Sequence, residues 1–262
     1  MQRIFITGAS SRIGRALAEH YARQGAVLGL AARRADQLAL LSSELRAAGA
    51  AEVRHYPLDV ADASALSAAA QDFIAAQGVP DIVVASAGVS SGTLTECPED
   101  LAAIRRIFDI NVYGMAATFS PFIAAMKAAA AQTPERPLRL VGIASVAGIR
   151  GLPGAEAYSA SKAATITYLE SLRLELRRSG IKVVTIAPGY IATPMTAVNP
   201  YRMPFLLPAA EAARRFARAI AKGTSYTVIP WQMGVVAKVL RLLPNALYDR
   251  LFANAPHKPK VL

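Results

Sequence analysis

Tyr158, Ser159, Ala160, Ser161 and Lys162 are consecutive, and Ser145 lies thirteen residues before the tyrosine. On a helix, Tyr158 and Lys162 project from one face, four residues apart. An ammonium held beside a phenol favours the phenolate and lowers the phenol's pKa. A phenol ordinarily titrates near about 10, so the shift brings it toward working pH as a proton donor and acceptor. Ser145 follows the apolar run Leu138–Ala144, which reads as a buried strand and puts the hydroxyl at the strand's carboxyl end. Open α/β sheets bind their ligands there. A bare Tyr-x-x-x-Lys is also what an ordinary helix surface offers, so the elements around it decide its meaning.

Those elements alternate. Short apolar runs separated by longer amphipathic ones are the pattern of βαβ units on a parallel sheet. The strands predicted are Arg3–Thr7, Val27–Ala31, Val53–Pro57, Ile82–Ala85, Leu138–Ala144, Lys182–Ala187 and Thr227–Ile229. Helices are expected over Ile13–Gln24, Asp36–Ala48, Ala63–Gln77, Pro98–Met126, Ala155–Arg178 and Ala209–Lys222. Pro121 should kink or divide the fourth of these.

Thr7-Gly8-Ala9-Ser10-Ser11-Arg12-Ile13-Gly14 ends the first strand and opens the first helix. Small residues there let backbone approach a pyrophosphate at the positive end of a helix dipole. Gly8, Ser10, Ser11, Arg12, Ile13 and Gly14 are therefore candidates for binding a dinucleotide. An NAD site would offer an acid to the ribose diol after the second strand. This chain reads Ala31-Ala32-Arg33-Arg34 there, with no carboxylate before Asp36. A guanidinium can bind a 2′-phosphate bidentately, so NADP(H) is expected over NAD(H), through Arg33 first, with Arg34 and Arg12 as helpers. Either of the paired arginines could instead be an exposed helix-start residue. Asp59-Val60 and Ser86-Ala87-Gly88 follow the third and fourth strands, where adenine and its ribose would rest. Asp59 could otherwise be the N-cap of the next helix.

Taken together, these residues resemble the short-chain dehydrogenase/reductase family, in its single-domain branch. The resemblance runs from Arg3 to about Met195 and rests on Thr7–Gly14, Asp59, Ala87-Gly88, Asn111, Ser145, Tyr158, Lys162, Pro188-Gly189 and Thr193. It implies a Rossmann-type doubly wound seven-stranded parallel sheet with helices on both faces. It also implies that Tyr158 is the acid in carbonyl reduction and the base in alcohol oxidation. By the same resemblance Ser145 would hydrogen-bond the carbonyl oxygen, and Lys162 would bind the nicotinamide ribose and depress the pKa of Tyr158. Asn111 would hold a water linking Lys162 to solvent, or else it is a buried asparagine at a helix kink. Pro188, Gly189, Ile191 and Thr193 would position the nicotinamide. Two positions depart from the family: Arg12 replaces its middle glycine, and Ala85-Ser86-Ala87-Gly88 replaces Asn-Asn-Ala-Gly. The Arg12 side chain must point away from the pyrophosphate or reach a phosphate itself.

The 262 residues suit one NAD(P)-binding domain, 1–262, with a substrate loop at about 194–208 and a basic amphipathic tail at about 231–262. The first strand starts at once, so no signal peptide is expected. One cysteine, Cys97, gives no disulfide framework, and His20, His55 and His257 have no metal-ligand spacing. A cytoplasmic setting follows. No stretch reads as long and apolar enough to span a bilayer. From Arg202 onward ten Lys/Arg face two acids, +8 of the chain's +11. That imbalance suits either an anionic partner or a solvated basic face. Between Trp231 and Leu243, one half of the helical wheel holds Trp231, Val235, Val236, Val239, Leu240, Leu242 and Leu243. Such a helix lies on a membrane surface, as a possible peripheral contact, or packs against a core or subunit interface.

The loop Pro194–Pro208 is rich in methionine, aromatic and leucine side chains, which suits an apolar or acyl-bearing substrate. Tyr190, Met195 and Phe205 are the pocket candidates. The reading is an NADPH-dependent carbonyl reductase, a homodimer or homotetramer by family resemblance. A non-catalytic NADP-binding sensor acting through its basic tail is the alternative; the intact Asn111, Ser145, Tyr158 and Lys162 set argues against it. Nucleic-acid binding finds no zinc finger, helix-turn-helix or stacking motif in support.

Overall fold

The computed structural model describes residues 1–10, 12–193 and 203–261, the Arg12 side chain excepted. Strands β1 (Arg3–Thr7), β2 (Val27–Ala32), β3 (Glu52–Pro57), β4 (Ile82–Ala85), β5 (Leu138–Ile143) and β6 (Ile181–Pro188) lie within one or two residues of expectation. The short strands β7 (Ile191–Ala192) and β8 (Leu207–Pro208) pair with each other, and β9 is Tyr226–Ile229. Seven strands form one parallel sheet in the order β3-β2-β1-β4-β5-β6-β9. The order reverses between β1 and β4, which opens a crevice at their carboxyl ends.

Side-chain alternation divides the core in two. Ile4 and Ile6 of β1 face a layer built by α1 (Arg12–Ala22), α2 (Ala35–Ala47) and α7 (Ala209–Lys222). Phe5 faces the other layer, built by α3 (Ala63–Gln77), α5 (Gly114–Gln132) and α6 (Glu156–Glu175). With helices on both faces the strands read as continuous apolar runs, which is why the sequence exposes them so plainly. The Phe5 ring meets Phe122 at 4.9 Å and stands edge-on to Phe73 at 5.7 Å.

The expected helix Pro98–Met126 is replaced by α4 (Asp100–Phe108), a π-turn at Asp109–Tyr113, and α5. Pro121 sits inside α5 without dividing it. A proline removes one backbone bond, but Phe119, Phe122 and Met126 are fully buried on either side and hold the helix through it. The irregularity falls upstream, at the π-turn. By length and composition this 33-residue run is long and apolar enough to cross a membrane, contrary to the sequence reading. Half of its most apolar window is buried inside the fold.

At the amino ends of the strands, Asp81 accepts from Arg3 N at 2.7 Å and from Arg136 Nε at 2.7 Å. Its own carbonyl accepts from Arg139 N at 2.8 Å. One mostly buried carboxylate thus ties the entries of β1 and β5 to β4. Asp81→Ala is expected to lower the unfolding free energy by about 2–4 kcal/mol, read by urea denaturation, because two charge-assisted bonds go and Arg136 is left unpaired.

Candidate active site

Tyr158 and Lys162 occur in the first two turns of α6, as their spacing requires. Lys162 is buried, its Nζ donates to Ile143 O at 2.9 Å, and it lies 5.9 Å from the Tyr158 ring centre. Because Ile143 ends β5, this bond fixes the helix face against the strand that delivers Ser145. Ser145 is extended and caps a short 3-10 turn, Val146–Gly148, by accepting Ala147 N at 3.2 Å. That bond uses an acceptor site of the hydroxyl and leaves its proton available to donate.

Asn111 is fully buried inside the π-turn. Its Oδ1 accepts from Val89 N at 2.9 Å, and its Nδ2 donates to Val89 O and to Ser161 Oγ, each at 3.0 Å. Ser161 Oγ in turn donates to Tyr158 O at 2.8 Å. Both amide hydrogens therefore have protein partners, and the asparagine does sit at a helix irregularity.

Ser145, Tyr158 and Lys162 line one cavity of about 300 Å³, together with Ile13, Ser86, Gly88 and the run Pro188, Gly189, Tyr190, Ile191 and Thr193. The backbone around it is shaped for a dinucleotide. Gly8 takes φ +68, and a Cβ there would meet Ala87 N and Cα at 2.7 Å. A Cβ on Gly14 would collide with Gly8 O. The ends of β1 and β4 thus approach through bare backbone at the N-terminus of α1, a cradle that fits a pyrophosphate. Ser10 lies in the same turn; Ser11 and the Arg12 side chain lie outside the described residues.

Arg33 and Arg34 are both exposed after β2, and Arg34 begins α2 without capping it. Asp59 is not the N-cap of α3; Asp62 fills that place by accepting Ser64 N and Ala65 N, both at 3.0 Å. Asp59 instead accepts Ala61 N at 3.0 Å and pairs with Arg106 of α4. Burial alone would raise its carboxyl, but Ala61 N, Arg106 and nearby Arg33 outweigh that and hold it below the usual carboxylate range. Val60 is buried beside it. This edge of the crevice carries guanidinium groups and one carboxylate already paired.

Of the three pocket candidates, Tyr190 lines the cavity and burial raises its pKa. Met195 lies outside the described residues. Phe205 does not line the cavity: it is 48% exposed and enters β8 through a left-handed turn, φ +57, which leaves its ring outside. Sequence reading missed the opposite wall, made by Leu152, Pro153, Phe252, Ala255, Pro256 and Lys258. No periodicity or motif marks these residues; they meet only because the chain beyond helix α8 (Trp231–Leu242) and α9 (Asn245–Phe252) folds back.

Arg150 secures that return. Its guanidinium donates to Leu243 O at 2.7 Å and Asn245 Oδ1 at 3.0 Å, and lies 3.8 Å over the Tyr248 ring. Tyr248 donates its hydroxyl to Gly151 O at 2.6 Å and stacks on Phe252. The loop that carries Ser145 is therefore bolted to the tail. The predicted apolar half of α8 faces outward: Trp231, Val235, Val239 and Leu242 are 68, 51, 54 and 83% exposed, while Met233 and Ala237 are buried. Leu240 and Leu243 of the same half are partly buried, so among the described residues most of that face, though not all of it, is left without packing on the chain's own core.

The family model for short chain dehydrogenases matches residues 2–202. An uncharacterized oxidoreductase of Myxococcus xanthus is 41% identical over 244 residues, covering 93% of each chain. An 11-beta-hydroxysteroid dehydrogenase-like 2 protein of Arabidopsis thaliana is 32% identical, over 96% of this chain and 82% of that one. A 3-oxoacyl-acyl-carrier-protein reductase of Brucella melitensis superposes with a TM-score of 0.75 at 29% identity, over 87% of this chain and 89% of the other.

Proposed function

This chain belongs to the short-chain dehydrogenase family, and from that membership we propose that it is an NADPH-dependent reductase of ketones carrying apolar or acyl groups. The observation that carries the reading is the gathering of Ser145, Tyr158 and Lys162 on one cavity beside a backbone cradle for a dinucleotide. The nicotinamide, when bound, supplies or accepts the hydride.

The chain's own residues handle the proton and the charge. Tyr158 gives its hydroxyl proton to the substrate oxygen in reduction and takes it back in oxidation. Ser145, whose Oγ already accepts Ala147 N, donates its proton to the same oxygen and steadies the developing alkoxide. Lys162, held by Ile143 O, keeps a positive charge beside the phenol and binds the ribose hydroxyls. A water relay at Asn111 would run through a remaining acceptor of its carboxamide or its main-chain carbonyl, since its amide hydrogens are engaged. Pro188, Gly189, Ile191 and Thr193 orient the ring, and Gly8, Ser10, Ser11, Arg12, Ile13 and Gly14 hold the pyrophosphate. The mainly apolar lining by Val146, Leu152, Pro153 and Phe252 supports an apolar substrate. The names of the Arabidopsis and Brucella relatives, a hydroxysteroid dehydrogenase-like protein and an oxoacyl reductase, agree with that class.

Tyr158→Phe is expected to cut ketone-dependent NADPH oxidation by about 10²–10⁴-fold while leaving NADPH binding by calorimetry intact. Retained turnover would move proton transfer elsewhere. Arg33→Ala is expected to lower the NADPH-over-NADH ratio of kcat/KM by about 10–100-fold, the yield of one charge-assisted phosphate contact. An unchanged ratio assigns cofactor choice to other residues.

The exposed stripe of α8 supports contact with an anionic membrane surface, because the exposed Lys238 borders it. In a flotation assay at low salt, the protein should rise with phosphatidylserine vesicles and Val235→Ser with Val239→Ser should remain below. Wild-type protein left in the dense fraction would end the membrane reading.

A further inference from the structure

Residues 253–261 carry no regular structure, yet they form a strap fixed along one side of the cavity. Gly92 N donates to Pro259 O at 2.9 Å, and Val261 N donates to Ser91 Oγ at 2.8 Å. Lys260 Nζ pairs with the buried Asp100 carboxylate at 2.9 Å, and Asp100 also accepts Leu94 N at 2.8 Å. The strap sits in a seat made for it. A Cβ on Gly92 would collide with Lys258 O, and one on Gly154 would come within 2.7 Å of His257 Cβ.

Phe252 lies where this strap leaves α9, so it is held from both directions. Downstream are the tethers of the strap. Upstream, its ring stacks on Tyr248, with centroids 4.4 Å apart and 25° between the planes. Tyr248 is itself fixed: it is buried, bonded to Gly151 O, and covered by the Arg150 guanidinium 3.8 Å from its ring centre. Phe252 remains half-buried and lines the cavity. An aromatic ring fixed before a ligand arrives adds little to the entropy cost of binding.

The wall around Phe252 is rigid and apolar. Pro153 and Pro256 contribute to it, and Leu152 is pinned by its N–H, which donates to Ser159 Oγ at 3.3 Å, next in the chain to Tyr158. Among the described residues lining the cavity, the aromatic ones are Tyr158, Tyr190 and Phe252. Tyr158 is assigned to the proton, and Tyr190 comes from the run assigned to the nicotinamide. Phe252 is the aromatic residue of the wall opposite them, and it lies beyond the family-matched residues 2–202.

We infer that Phe252 is a specificity-determining residue that selects ketones carrying a planar aromatic ring, which packs against the Phe252 ring while the carbonyl meets Tyr158 and Ser145. This deepens the reductase reading and rests on it. A saturated ring of the same size fills the same space but lacks the aromatic pairing, which adds attraction beyond the area buried.

The test measures kcat/KM with saturating NADPH for acetophenone, phenylacetone and 4-phenyl-2-butanone, each against its cyclohexyl counterpart. Wild type, Phe252→Leu and Phe252→Tyr are compared. Each ratio is taken within one protein, so any difference in folded fraction cancels. For the spacer that fits, the phenyl-to-cyclohexyl ratio should fall by about three- to tenfold in Phe252→Leu, through KM rather than kcat, and Phe252→Tyr should retain it. Calorimetric binding of the same pairs to Tyr158→Phe protein with NADPH, with and without Phe252→Leu, gives a readout independent of turnover. Phenyl-favoured binding that needs Phe252, without turnover in the wild type, would overturn the reductase reading and keep this one. The role of Phe252 would be overturned by a ratio equal in wild type and Phe252→Leu at every spacer, by an equal loss in Phe252→Tyr, or by no binding of any pair.

Discussion

The Asn111 carboxamide, enclosed by the π-turn Asp109–Tyr113, grips the Val89 main chain by both its N–H and its carbonyl and reaches Ser161 with its remaining hydrogen. Ser161 passes the connection to the Tyr158 carbonyl. Three segments distant in sequence are held by this one side chain: the loop after β4, the α4–α5 run and the start of α6. An α-helical turn of the same residues would aim position 111 differently; the extra residue of a π-turn rotates it out of the helix's own register. A buried amide satisfied on both ends is also costly to disturb, since any displacement leaves polar groups without partners in a place water does not reach.

From that clamp the division of labour along the sheet follows. The amino ends of the strands are stitched by Asp81, Arg3 and Arg136 and carry no cavity residue. The carboxyl ends carry Gly8, Ser86, Gly88, Ser145 and Pro188–Thr193, because each parallel strand releases its loop on the same edge. Charge is sorted as well. Part of the basic excess is internal to the fold: Arg214 and Arg215 pair with Glu211, Lys260 pairs with Asp100, and Arg150 caps carbonyls at the end of α8. Lys238, Arg241 and Arg250 remain on the outer surface.

Much of this was legible in the sequence, and the exceptions share a cause. Strands buried on both faces appear as unbroken apolar runs, so all seven of the sheet were visible, and Tyr158 with Lys162 announced their helix face by spacing alone. The π-turn left no mark, because five residues of helical propensity look the same whether they close a turn of one size or the next. Pro121 does not divide its helix for a related reason: local bonding alone allows a division, while the buried rings of Phe119 and Phe122 pack on either side of it and α5 runs on. Phe205 misled because an apolar residue in a loop looks like pocket lining until the backbone turns it outward. The wall from Phe252 to Lys258 is long-range in its entirety. Lys258 reads as part of a solvated or partner-seeking tail because nothing local places it beside Tyr158.

Gly92 and Gly154 hold a different kind of information. Neither binds anything by its own chemistry, and read in isolation each is a loop glycine. Both are footprints of another segment: a methyl group at either position would occupy space now filled by residues 257 and 258. The pair therefore works as a diagnostic for other sequences on this framework. Where both positions are glycine, the strap has a seat. Where either carries a side chain, that segment must lie elsewhere, the cavity is open on that side, and any basic residue counted along from the end of α9 cannot be assumed to face the tyrosine.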